Sequence, residues 1–185
     1  TRLGTIEPRQ RCKTCGNLPD KCPGHFGHIE LPVPVIHVSF AREIERVLQS
    51  TCRQCGRILL PNDRINFYRE KIREFEENYG IVPDQIFDQV KDEVRRSNRC
   101  PHCGADKYQV RLERPTRFYE RDPDGVLRLL NTRIIKERLN RIPDDDLRLL
   151  NIDPEVAHPA WYVIEVLPVP PIQVRPSIIL ETGER

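Results

Sequence analysis

Residues 11–28 read RCKTCGNLPDKCPGHFGH. Three cysteines and two histidines fall in this one stretch, with proline and glycine crowded beside the third cysteine. Cys12 and Cys15 are separated by two residues, and so are Cys22 and His25. A two-residue gap lets a tight turn aim both donors at one ion, with zinc–sulfur bonds near ~2.3 Å and zinc–nitrogen bonds near ~2.0 Å.

The spacing returns at Cys52/Cys55 and Cys100/Cys103, which brings the cysteine total to seven. An odd count with no export signal argues against a closed set of disulfides, because one thiol is left over and a reducing compartment opens the rest. His25 raises the donor count to eight, enough for two tetrahedral zinc sites. A redox dithiol would want a single CxxC in a βαβ setting, not four such pairs. Gly16, Gly56 and Gly104 each follow a pair, and Pro23-Gly24 fills the gap before His25. Glycine there lets backbone N–H groups approach the thiolates and share their charge. His28 breaks the two-residue spacing and is expected outside the ligand set. His37 and His158 read as ordinary hydrogen-bonding histidines, and His102 as pointing away from an ion held by its neighbours. Both sites are closed, with no position left for water, so they read as structural.

Spacing alone allows two groupings. A sequential one joins Cys12, Cys15, Cys22 and His25, and separately Cys52, Cys55, Cys100 and Cys103; an interleaved cross-brace would mix the pairs. The sequential form is preferred because its first four donors close a loop of only fourteen residues, which is entropically easy.

The remaining sequence reads as α+β with irregular connections. Ile29 to Val38 is β-branched and interrupted by prolines, as in an edge strand. Ser39 is expected to cap a helix with Phe40, Ile44, Val47 and Leu48 on one face. Between the halves of the second site, residues 56–99 predict a helical hairpin. Ile65, Tyr68, Ile72, Phe75 and Tyr79 line its first helix, which Gly80 stops; Ile86, Phe87, Val90 and Val94 line a second that starts near Pro83. Arg95, Arg96 and Arg99 at its end are candidate nucleic-acid contacts, although cations at a helix C-terminus also suit the macrodipole. Residues 108–120 alternate like one or two strands, DPDG is a turn, and a strand then passes into a helix capped near Asn131 or Thr132. Asp144, Asp145 and Asp146 suit a helix N-terminus better than a metal. Trp161 to Leu167 predicts a strand, and the prolines from Pro168 to Pro176 predict a stiff, extended strap. The expected segments are 1–30 (first zinc segment), 31–153 (second zinc site with its insertion) and 154–185 (strand and strap).

Of the 185 residues, 31% are charged and 38% hydrophobic, with a net charge of +2. That balance creates no broad field for nucleic acid, so any such contact must be local. No apolar run is long enough to span a membrane, and no secretory leader is recognisable at Thr1, so the chain is expected to be cytoplasmic. The lack of methionine and the ending at GER suggest an excerpt of something longer.

RLGTIEPRQRCKTCG, CPGHFGHIEL, the CRQCGR and CPHCG pair, and VLPVPP with VRPSI closely resemble the amino-terminal part of the largest subunit of multisubunit DNA-directed RNA polymerases, best in the archaeal type. The resemblance implies the clamp head and the start of the clamp core, a mobile module that closes over DNA and the RNA–DNA hybrid. It implies two structural zinc ions on the eight donors above, and as partners the second-largest subunit, the rest of the largest and the nucleic acids. Initiation and elongation factors would dock on an adjoining coiled coil beyond Arg185. It also implies nucleoid association within the cytoplasm. The family's catalytic loop, NADFDGD, does not occur here, so no catalytic residue is expected, and the magnesium ions of nucleotidyl transfer would lie outside this segment.

Two other classes share part of this pattern. A RING-type interaction domain shares the ligand order, but the gap from Cys15 to Cys22 is too short and that from His25 to Cys52 too long for interleaving. A stand-alone zinc ribbon would bind DNA tightly and in a salt-dependent way, which the near-neutral charge disfavours.

Overall fold

The computed structural model describes residues 2–175. The chain divides into two compact units, one containing residues 2–32 and 165–175, the other Val33–Ile164. Strands β1 (Gly27–Ile36) and β5 (Val163–Val169) pair as a two-stranded sheet, and each contains a point where the chain passes between units. The prolines in both strands fit such edge positions, since every strand of a two-stranded sheet has a free side.

In the second unit the order is α1 (Ala41–Ser50), α2 (Asn62–Tyr79), α3 (Asp84–Arg96), β2 (Gln109–Glu113), β3 (Arg117–Arg121), β4 (Leu127–Leu130), α4 (Thr132–Asn140), α5 (Asp144–Arg148) and α6 (Pro154–Ala157). Helix α1 buries Ala41, Ile44, Val47 and Leu48 on one face and packs against α3, β2 and α4. The expected Ser39 cap does not form. Val38–Phe40 first makes a 3₁₀ turn, the Ser39 N–H donates to His37 Nδ1 at 3.3 Å, and the α-helix starts only at Ala41.

The hairpin is present. Ile65, Tyr68 and Ile72 on α2 face Ile86, Phe87, Val90 and Val94 on α3, all buried in one core, and Gly80 ends α2 at φ 68°. Arg64 near the start of α2 pairs with Glu93 near the end of α3, and Tyr68 Oη donates to Glu93 at 2.9 Å, so the helices run antiparallel.

Strands β2, β3 and β4 form an antiparallel meander, with Leu112 opposite Phe118 and Phe118 opposite Leu130. Asp122 Oδ1 accepts from the Val126 N–H at 2.8 Å and shapes the turn after β3. Asn131 caps α4 by accepting from the Arg133 N–H, as the sequence predicts. On β3 the inward positions are Phe118 and Glu120. A buried carboxylate needs a charged partner, and Arg138 on α4 supplies a bidentate one at 2.8 and 3.0 Å.

Of the three aspartates heading α5, the third does more than sit at a helix N-terminus. Asp146 is completely buried and accepts from Arg57 Nε at 2.7 Å and from the Ile58 N–H at 3.0 Å. Two late elements also differ from expectation. Pro159–Tyr162 form a 3₁₀ turn, capped by His158 Nδ1 accepting from the Ala160 N–H, so the strand starts at Val163 instead of Trp161. The proline-rich stretch is not continuously extended, because Ile172–Val174 turn as a 3₁₀ helix after Pro171; the strap from Pro176 onward lies outside the described residues.

Replacing Asp146 by alanine strands the buried Ile58 N–H and takes the carboxylate from Arg57. The expected loss is about 2–4 kcal/mol, read as a lower urea midpoint at unchanged m-value. A midpoint equal to that of the parent chain would refute this role.

Candidate metal centres

Three turns of the chain share one backbone pattern. The N–H of Cys12, Cys52 and Cys100 donates five residues ahead, to Asn17, Arg57 and Ala105 at 2.9, 2.8 and 2.8 Å. The glycine N–H then donates back to that cysteine's carbonyl, Gly16 at 2.8 Å, Gly56 at 3.0 Å and Gly104 at 2.9 Å. The bond forces the glycine into the left-handed region, at φ 71°, 75° and 74°, where a side chain is strained. At Gly56 there is also no room, since a Cβ would lie 2.6 Å from the Arg141 carbonyl oxygen. Bridges Thr51↔Ile58 and Arg99↔Asp106 flank the second and third turns, making each a small β-ribbon.

These turns gather the donors in sequence order. In the first unit Cys12, Cys15, Cys22 and His25 converge; in the second, Cys52, Cys55, Cys100 and Cys103 do so, all donor atoms of a group lying within 4.8 Å of one another. Sulfur separations are 3.6 Å for Cys15–Cys22, 3.5 Å for Cys52–Cys103 and 3.6 Å for Cys55–Cys100. Cys22 Sγ lies 3.8 Å from His25 Nε2. A disulfide would need roughly 2.05 Å, and all seven thiols are free. A zinc tetrahedron with ~2.3 Å bonds puts its sulfurs ~3.8 Å apart and a sulfur–nitrogen pair ~3.6 Å apart. Both donor sets therefore fit a four-coordinate ion of the zinc kind.

Backbone donors favour one thiolate in each group. The N–H of Cys15, then that of Thr14, holds the Cys12 thiol down at about 6 against the effect of burial. The Ala105 N–H lowers Cys103 to about 7. The others go the opposite way. Burial, then the Cys100 and Cys52 sulfurs, pushes Cys55 up to about 12, and burial raises Cys100. The Asn17 N–H pulls Cys15 down, but burial and the sulfurs of Cys22 and Cys12 outweigh it. Neighbouring sulfurs cannot all carry charge unless a cation is shared among them.

Arginines brace the Cys52–Arg57 turn from three directions. Arg53, between the two cysteines, lies over the Tyr108 ring at 3.8 Å and approaches Glu120 at 3.8 Å. Arg141 Nη1 donates to the Gln54 carbonyl at 2.6 Å, and Arg57 reaches Asp146. In the first unit, the His25 N–H donates to the Leu3 carbonyl at 3.2 Å and Gln173 Nε2 to the Cys22 carbonyl at 3.5 Å.

The remaining singled-out residues fall elsewhere. His28 is exposed and belongs to neither group. His102 lies between Cys100 and Cys103, and its Nε2 is buried without a hydrogen-bond partner. Arg95 pairs with Asp92 at 3.4 Å and Arg99 with Asp106 at 2.7 Å, while Arg96 is exposed. Sequence reasoning missed Glu120 and passed over Asp146, whose membership of an acidic run hid its burial.

A mixed helix-and-strand module carrying two four-donor, cysteine-rich centres is the class that fold and site define. Residues 1–185 match the model of RNA polymerase Rpb1, domain 1, and the chain belongs to that family. Among its relatives is the DNA-directed RNA polymerase subunit Rpo1N of Thermoplasma acidophilum, 49% identical over 99% of this chain and 21% of that protein. The subunit of the same name from Methanothermobacter thermautotrophicus is 48% identical over 100% of this chain and 20% of its own length. The one from Sulfolobus acidocaldarius is 41% identical over 100% and 21% respectively. The chain thus spans about a fifth of these relatives. Among the described residues no helix is long and apolar enough to cross a membrane.

Metal uptake should be proton-linked, with affinity rising as pH rises and falling as the thiols reprotonate. The second group has one more thiol than the first and holds Cys55 at about 12, so it should release more protons per ion at pH 7. Titrating zinc into each single-site chain, with the other site's cysteines changed to serine, in weak buffer with a pH indicator measures this; equal release would contradict it.

Proposed function

We propose that the chain forms the clamp-head part of the largest subunit of an archaeal-type DNA-directed RNA polymerase, a nucleotidyltransferase, and contributes no catalytic residue itself. Two structural zinc ions, on Cys12, Cys15, Cys22 and His25 and on Cys52, Cys55, Cys100 and Cys103, stiffen it so that it moves as a body when the enzyme closes over DNA and the RNA–DNA hybrid. The observation that carries this is the pair of closed four-donor groups in a chain of the Rpb1 domain 1 family. Each structural zinc contributes on the order of 10 kcal/mol to folding, and a jaw that transmits force must resist deformation. The partners are the second-largest subunit, the remainder of the largest, and initiation and elongation factors reached through adjoining parts. The location is cytoplasmic, with the nucleoid.

The parent subunit, tagged and purified at physiological salt, should bring down the other polymerase subunits, and elemental analysis of this chain should find two equivalents of zinc. Purification without other subunits would overturn the assignment. Far fewer than two equivalents would overturn the zinc sites.

A further inference from the structure

We propose that the cleft between α1, the last turn of α3 and β2 binds a phosphate group. It is a cavity of about 340 Å³ whose wall carries Arg46, Lys91, Arg95, Lys107 and Arg111 and, among the described residues, no aspartate or glutamate. The carboxylates that pair with three of these cations lie off the wall, one helical turn back. Glu43 pairs with Arg46, Asp88 with Lys91 at 2.9 Å, and Asp92 with Arg95 at 3.4 Å. They hold the side chains without filling the cavity.

Among the described residues the other two cations have no carboxylate partner. Lys107 Nζ donates to the Val94 carbonyl at 2.7 Å and the Arg95 carbonyl at 3.4 Å, occupying the free carbonyls at the end of α3. Arg111 is exposed, with no ion pair among the described residues. Arg46 Nε is buried and has no hydrogen-bond partner. Crowding shows in the electrostatics. Asp88 feels Arg46 and Arg95 besides Lys91, and Lys107 is lowered by burial and by Arg95. Like charges facing one cavity repel, and an oxyanion with several oxygens relieves the repulsion while accepting from guanidinium and ammonium donors together. The volume suits a phosphate with its bound water.

The phosphate could belong to a nucleic-acid backbone or to a free pyrophosphate. The first source rests on the polymerase assignment above, whereas the site itself rests on the clustered charge. The metal-loaded chain is titrated with pyrophosphate and, separately, with a DNA duplex at ~50 and ~200 mM salt. The double variant Lys91→Gln/Arg111→Gln should weaken binding by about tenfold while keeping its metal and circular dichroism. Arg117→Gln/Arg133→Gln, away from the cavity, should leave binding unchanged. Duplex binding that pyrophosphate displaces assigns a backbone phosphate; pyrophosphate binding without duplex affinity assigns a free one, and either upholds the site. No binding of either ligand, or binding that the Lys91/Arg111 variant leaves intact, overturns it. Failure of the polymerase assignment would show separately, as loss of subunit co-purification with this binding intact.

Discussion

In the second unit four sulfurs converge at one point, beside the core that the surrounding helices and strands share. Cys52 and Cys55 stand on one ribbon, Cys100 and Cys103 on another, and the helical hairpin occupies the chain between them. Cys52 and Cys100 also belong to the hydrophobic core that takes in α1, both hairpin helices and the meander. The net stability of a typical domain is about 5–15 kcal/mol, and one structural zinc is worth a comparable amount. A zinc ion held at this point would therefore contribute an amount comparable to the whole folding margin. Without it, Cys55 at about 12 keeps its proton, and the sulfurs offer one another only weak contacts.

Two buried carboxylates tie the Cys52–Arg57 turn into the surrounding fold. Glu120 ties the meander to α4 through Arg138 and lies 3.8 Å from Arg53, which sits within the turn. Asp146 ties α5 to Arg57 at the end of the same turn. Each removes a charge from water, and each is tolerated because an arginine and further polar contacts answer it. The charged hydrogen bonds to these carboxylates, at 2.7 Å from Arg57 and at 2.8 and 3.0 Å from Arg138, are directional in a way that a hydrophobic contact at the same place is not.

The donor pairs were legible because metal geometry demands a fixed local spacing, and local spacing survives in a linear string. The helical hairpin was legible for the same reason, through apolar residues three and four apart and Gly80 at its bend, and so was the start of α4, through Asn131. What failed to show were features set by tertiary context. Ser39 has the right chemistry for a cap, but His37 takes its N–H and a 3₁₀ turn displaces the helix start. Glu120 obeys strand alternation only if one accepts a carboxylate facing inward, which requires knowing that Arg138 waits there. Asp146 is distinguished from Asp145 by burial alone, and no periodicity in a three-residue run reports that. The stretch after Pro168 suggested continuous extension, yet Pro171 also suits the start of a turn.

The chain's path between its two units bears on how it is made. Val33–Ile164 is a continuous stretch, whereas the first unit needs residues from both ends. During synthesis the inner unit can assemble as soon as it clears the ribosome, since domains fold as units while the chain emerges. The outer unit must wait. Its first cysteine-rich turn leaves the ribosome early but meets Gln173 only after some hundred and fifty further residues. Throughout that interval the turn has only the contacts made within residues 2–32 to hold it, such as that of the His25 N–H with the Leu3 carbonyl.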